Sequence, residues 1–90
     1  EQDYRYSGPK PFSKETAIVM MADSIEAASK SIKEPNIKLI DVFVEKIINK
    51  QIEDNQFINS DITLKEIQQT KKILKEKLNN IYHLRVEYPD

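Results

Sequence analysis

Ninety residues with 39% apolar side chains can bury one small core, and a second domain is not expected. Fourteen basic side chains against fifteen acidic ones leave a net charge of −1, a balance that points neither to a nucleic-acid duplex nor to an anionic membrane. With no cysteine, disulfides, thiolate metal sites and thiol catalysis are excluded, and one histidine, His83, cannot build a histidine-rich metal site within this chain.

No stretch approaches the roughly 18 to 20 consecutive apolar residues of a membrane span, and no signal peptide is visible. The start at Glu1-Gln2-Asp3, without methionine, suggests a piece of something longer. Residues 1–12 contain the only glycine and two of the four prolines, in the order Ser7-Gly8-Pro9-Lys10-Pro11. Pro-flanked lysine behind glycine can continue neither a helix nor a central strand, so an ordered Pro-rich loop is expected.

Ser13 then offers an N-cap, with Glu15 in the first turn where the helix dipole favours negative charge. The first helix is predicted over 14–32, with Ile18, Met21, Ile25, Ala28 and Ile32 on one stripe and Glu34-Pro35 ending it. Asn36 caps a second helix over 37–53, whose broad apolar face is Ile40, Phe43, Val44, Ile47 and Ile48. The third helix, 63–82, has the clearest start: Thr63 and Glu66 form a capping box and Ile62 and Ile67 are spaced as a hydrophobic staple. Leu64, Ile67, Ile73, Leu74, Leu78 and Ile81 should turn inward, and residues 84–90 form a short tail. The fold class is all-α, one domain of three main helices.

Asp23 closes the apolar run Ala17-Ile18-Val19-Met20-Met21-Ala22. A carboxylate removed from water needs a cation, a hydrogen-bonding partner or an exit to solvent. At about 100° per residue it falls on the side opposite the core stripe, beside Val19 and Ala27, with Glu26 one turn on. The cation on that side, Lys30, is seven residues away, beyond the spacing of helical ion pairs. By spacing alone Asp23 reads either as an exposed aspartate in loose pairing or as one member of a site, and metal or general-base roles need partners this chain does not contain.

Lys10 and Lys14 lie near the Ser13-capped helix N-terminus, where amides and cations can receive a phosphate, or they are solvated loop lysines. Arg5 and Tyr6 could contact a nucleotide by phosphate pairing and base stacking, or Tyr4 and Tyr6 only pin the loop. His83 sits at a helix end, where an imidazolium suits the dipole better than it suits a metal without a chelate. Lys65, Lys71, Lys72, Lys75 and Lys77, interleaved with Glu66 and Glu76, read as a solvated face.

The stretch Tyr4-Arg5-Tyr6-Ser7-Gly8-Pro9-Lys10-Pro11, then Ser13-Lys14-Glu15 and Ile18-Val19-Met20-Met21-Ala22-Asp23-Ser24-Ile25-Glu26-Ala27-Ala28, closely resembles the C-terminal part of a bacterial phosphohydrolase family. These are the HD-domain enzymes of seven-transmembrane receptors with an intracellular HD domain, the PgpH type. The likeness continues through Leu64-Lys65-Glu66-Ile67 to His83, Arg85, Glu87, Tyr88 and Pro89, and departs at Ser7, where the family usually has proline.

The resemblance implies the C-terminal portion of a helical HD domain that hydrolyses cyclic di-AMP through a metal-activated hydroxide. It also implies two divalent transition metals, iron or manganese, in the intact domain, with Asp23 as the last metal ligand and Glu26 in support. Arg5, Tyr6, Lys10 and Lys14 become candidate contacts to the cyclic dinucleotide. The HD dyad and upstream histidines would lie before Glu1, so the 90-residue piece is expected to hold no metal and to be inactive alone. The parent would be a bacterial inner-membrane protein with this domain on the cytoplasmic side, and the piece itself would be soluble. It would pair with the N-terminal half of the HD domain or, without it, self-associate. The competing reading is a non-catalytic helical interaction or signal-coupling module in which Asp23 pairs with a base or faces water.

Overall fold

The computed structural model describes residues 10–84, and over these it is all-α: α1 (Lys14–Ser29), α2 (Ile37–Glu53) and α3 (Leu64–Ile81). α2 and α3 share the most extensive interface, and α1 packs across both. Of the predicted loop only Lys10 to Phe12 is described, with Pro11 buried, and the tail beyond Leu84 lies outside the described residues.

α1 starts where the sequence places it. Ser13 is extended (φ −135°, ψ 159°) and its hydroxyl accepts from the Thr16 amide at 3.1 Å. It ends at Ser29, three residues short of the predicted 32 and before Glu34-Pro35. Two serines account for this: Ser29 Oγ donates to the Glu26 carbonyl and Ser31 Oγ to the Ala28 carbonyl, while the Ser31 and Ile32 amides bond three residues back. Hydroxyls that take carbonyls from the ladder favour a tightened last turn. Ile32 therefore reaches the core from a connection, partly buried, and not from the helix.

The buried face of α1 is Ala17, Met20, Met21, Ile25, Ala28 and Ser29. Ile18, expected on the core stripe, is 39% exposed. The real face is rotated from the expected one by about 20° on an ideal helix. A helix apolar nearly all round between residues 17 and 22 leaves its orientation to its neighbours, and the small side chains of Ala17 and Ala28 let α1 approach closely on that side.

α2 buries Ile40, Val44, Ile47 and Ile48, with Phe43 packed alongside, and adds Gln51. Asn36 caps it, accepting from the Leu39 amide at 2.8 Å. It ends in a Schellman turn: the Gln56 amide donates to the Gln51 carbonyl and the Asn55 amide to the Ile52 carbonyl, with Asn55 left-handed at φ 58°. α3 ends the same way, the Leu84 amide donating to the Asn79 carbonyl and the His83 amide to the Asn80 carbonyl, with His83 at φ 61°. Asn and His are among the few non-glycine residues that tolerate this region, which gives His83 a backbone role.

At its start α3 carries the full capping box, Thr63 and Glu66 each bonding the other's backbone amide. Ile67, Leu74 and Leu78 face the core, but Leu64, Ile73 and Ile81 are 70%, 61% and 56% exposed and do not turn inward. Their places on the buried face are taken by Thr70 and Lys71. Lys71 and Lys75 accordingly do not belong to a solvated face. Lys71 Nζ meets Glu45 Oε1 at 2.9 Å and Asn49 Oδ1 at 2.8 Å, and Lys75 Nζ meets Asp41 and Glu45 at 2.8 Å and 2.7 Å, all on α2.

Candidate functional site

Among the described residues three polar ties join α1 to the α2–α3 pair, one at each level of the helix. At its start Lys14 Nζ pairs with Glu66 at 3.0 Å; at mid-helix Gln51 Nε2 donates to Ser24 Oγ at 2.8 Å; at its end Tyr82 Oη donates to the Ser29 carbonyl at 3.1 Å. These hold α1 so that its outer C-terminal half and the outer face of α3 leave a groove of about 350 Å³ between them. Asp23, Glu26 and Lys30 line it from α1, and Lys77, Ile81 and Tyr82 from α3, over the buried side chains of Ile25, Leu74 and Leu78.

Asp23 is exposed on this groove and makes no hydrogen bond or ion pair with any described residue. Its position, about 150° around α1 from the centre of the buried face, keeps it out of the core. Glu26 follows one turn later on the same rim. Lys30 and Lys77 bring two ammonium groups to the opposite end and side, and neither pairs with a described carboxylate. Two carboxylates, two ammonium groups and an apolar base in one groove suit a ligand with phosphate and flat apolar parts.

The other sequence candidates are elsewhere. Lys14 is nine residues before Asp23, about 13 Å along the helix axis, and its ammonium is engaged by Glu66. That pairing raises the Lys14 pKa, through the hydrogen bond it donates to Glu66 and through the Glu66 charge. Glu66 is held below the usual carboxylate range, first by the Thr63 backbone amide and then by Lys14. Lys10 is exposed in the segment before α1, and Arg5 and Tyr6 lie outside the described residues. Lys77 was read from sequence as part of a solvated face; its place beside Leu74, Leu78 and Ile81 is visible there, but which face of α3 meets α1 is not.

For a metal, the described residues fit as a partial donor set. Asp23 and Glu26 offer hard carboxylate oxygens at helical i, i+3 spacing, without a partner among the described residues, of the kind divalent cations take. No group of three His, Cys, Asp or Glu side chains comes together among the described residues, so the remaining ligands would have to come from another part of a larger domain.

No family model matches the chain. Among curated proteins it is 46% identical over 90 residues to the Cyclic-di-AMP phosphodiesterase PgpH of Bacillus subtilis and 48% identical over 90 residues to that of Listeria monocytogenes, in each case over 100% of this chain. It is 36% identical over 89 residues to an uncharacterized protein of Synechocystis. The chain spans 13% and 12% of the two PgpH proteins. Among solved structures, the L. monocytogenes PgpH HD domain in complex with cyclic-di-AMP matches with a TM-score of 0.82 at 45% identity, covering 93% of this chain and 39% of that one. A second structure of that HD domain matches with a TM-score of 0.80 at 46% identity, covering 89% and 38%.

Proposed function

Because the chain is homologous along its whole length to a C-terminal part of the HD domain of the PgpH cyclic-di-AMP phosphodiesterases, we propose that it forms that part of a metal-dependent hydrolase acting on cyclic di-AMP. The observation that carries the reading is Asp23: a carboxylate on a firmly packed helix, turned away from the core, with no partner among the described residues, at the edge of a groove large enough for a nucleotide. An aspartate left in that condition is available to a cation supplied from outside.

In this reading Asp23 holds one position of a donor set completed by residues beyond this chain, and Glu26 supports it from the next turn. When bound, two divalent cations, iron or manganese, supply Lewis acidity to the phosphodiester and lower the pKa of a water. The chain's own residues do the rest of what the groove allows. Lys30 and Lys77 offset charge on phosphate oxygens, and the Ile25, Leu74 and Leu78 base excludes water beneath the substrate. Lys14 enters substrate binding only by releasing Glu66. The domain lies on the cytoplasmic side of a bacterial membrane protein; among the described residues no helix is long and apolar enough to cross a membrane.

The test is hydrolysis of cyclic di-AMP to the linear dinucleotide by the full-length protein, followed chromatographically with manganese present. Activity that disappears in Asp23→Ala supports the reading, and a full-length protein that leaves cyclic di-AMP intact under metal-replete conditions defeats it in favour of a signal-coupling module. The 90-residue chain alone should show no turnover, because it lacks most of the donor set.

A further inference from the structure

Gln51 is 1% exposed, an amide among Ile47, Ile48 and the rest of the core. Its Nε2 donates to Ser24 Oγ at 2.8 Å, and its Oε1 is buried with no hydrogen-bond partner among the described residues. A buried acceptor left unmade weighs against stability, and a methionine of similar volume would fill the space without it. Core packing therefore does not account for the amide.

What the amide does is fix α1 at one level. Ser24 adjoins Asp23, and of the three ties that join α1 to the rest of the bundle among the described residues, only Gln51–Ser24 is beside that carboxylate. Lys14–Glu66 lies nine residues before Asp23 and Ser29–Tyr82 six after it. Apolar contact is non-directional and leaves a helix free to roll, the more so on the small side chains of Ala17 and Ala28. With a carboxylate about 6 Å from the helix axis, a 20° roll moves its oxygens by about 2 Å. That is several times the roughly 0.5 Å within which a ligand must be held.

We propose that Gln51 is a positioning residue for Asp23: its buried amide grips Ser24 and so sets the roll of α1 that aims the neighbouring carboxylate. The inference rests on the reading of Asp23 as a metal ligand. Gln51 touches neither metal nor substrate, and it acts only through Ser24 and the helix.

The experiment uses the full-length protein and compares Gln51→Met, Ser24→Ala and Ser24→Thr with wild type. Three quantities are read: the melting temperature of the metal-free protein, the manganese dissociation constant, and kcat and KM separately. Gln51→Met and Ser24→Ala should each raise the manganese dissociation constant about tenfold, the order seen when a residue orienting a metal ligand is removed. In both, kcat should fall and KM should hold. The metal-free melting temperature of Gln51→Met should be equal to wild type or higher, since an unpaired acceptor has gone. Ser24→Thr keeps the hydroxyl and should retain wild-type affinity, and the Gln51→Met, Ser24→Ala double variant should lose no more than either single one.

Unchanged manganese affinity in Gln51→Met overturns the proposal. A melting temperature that drops together with affinity overturns it too, by reducing Gln51 to an ordinary core residue. Asp23→Ala in the same series separates the two levels. If that variant binds manganese as wild type does, the ligand reading fails and the positioning role with it; if it loses metal while Gln51→Met does not, only the positioning role fails.

Discussion

Lys71 Nζ, on a side chain only 3% exposed, lies 2.9 Å from Glu45 Oε1 and joins α3 to α2 through the inside of their interface. Asn49 Oδ1 accepts a second bond from the same ammonium, and the other oxygen of Glu45 is taken by Lys75, which also reaches Asp41. The carboxylate is the hub. One anion serves two cations, one of them buried, so the partners are not equivalent.

Removing the anion should cost far more than removing the buried cation. Glu45→Ala strands Lys71 with only Asn49 for company and should cost about 2 to 4 kcal/mol, toward the range for breaking a buried pair. Lys71→Met keeps the volume and leaves Glu45 paired with Lys75, so a change within about 1 kcal/mol is expected. Urea denaturation of the two variants checks the asymmetry, and equal losses would mean the network is not centred on Glu45.

Acid should loosen the bundle in a defined direction. Hydrogen bonds from Lys75 and Lys71 hold the Glu45 pKa below its ordinary 4.5, and the Thr63 amide and Lys14 do the same for Glu66. Burial pulls the Lys75 ammonium downward, but its bonds to Asp41 and Glu45 outweigh this and the net shift is upward. A carboxylate whose folded pKa is depressed contributes stability that is present above the unfolded value and lost as pH falls through the folded one. Urea midpoints should therefore hold from pH 7 to about pH 5 and fall below the ordinary glutamate value of 4.5, with a shallower fall in Glu45→Gln.

The two left-handed turn residues respond to substitution by backbone shape alone. Asn55→Gly and His83→Gly should be neutral or stabilising by up to about 1 kcal/mol, since glycine occupies positive φ without a Cβ contact. Asn55→Val should cost about 1 to 2 kcal/mol. Thermal melts decide this, and a large loss in His83→Gly would show that the imidazole itself does more than close α3.

Phe12, Ile58, Leu64 and Ile73 are each more than 60% exposed, more large apolar surface than a small monomer usually leaves in water. Sedimentation of the 90-residue chain should show a weight-average mass rising with concentration. A mass that stays monomeric from micromolar to millimolar concentration would show that these side chains are tolerated singly.

The helix starts were legible in the sequence because they rest on local chemistry: Ser13, Asn36 and the Thr63–Glu66 box each place an oxygen at a fixed distance along the chain from the amide it must accept. The end of α1 was not, because Ser29 and Ser31 compete with the ladder by way of their hydroxyls, and Pro35 stood out more. The inner face of α2 was legible from its spacing. The roll of α1 was not, since a helix apolar on most sides is oriented by what it meets, and Gln51 and Tyr82 come from 27 and 53 residues away. Lys71 was misread for a different reason. It falls on the Ile67–Leu74–Leu78 stripe, but its charge made solvent the default, and only Glu45 on another helix makes burial tolerable. The groove at Asp23 needed two helices to exist, which is why Lys77 was read only as part of a solvated face while Asp23 and Glu26, on one helix, were singled out.

The central claim is that Asp23 holds a metal. Its most direct test is the metal content of the full-length protein, purified in parallel as wild type, Asp23→Ala and Asp23→Asn and measured by inductively coupled plasma mass spectrometry with circular dichroism to check folding. Wild type should carry two transition-metal ions per chain, and both variants should stay helical while losing at least one of them. Folded variants that retain the full wild-type complement would contradict the assignment.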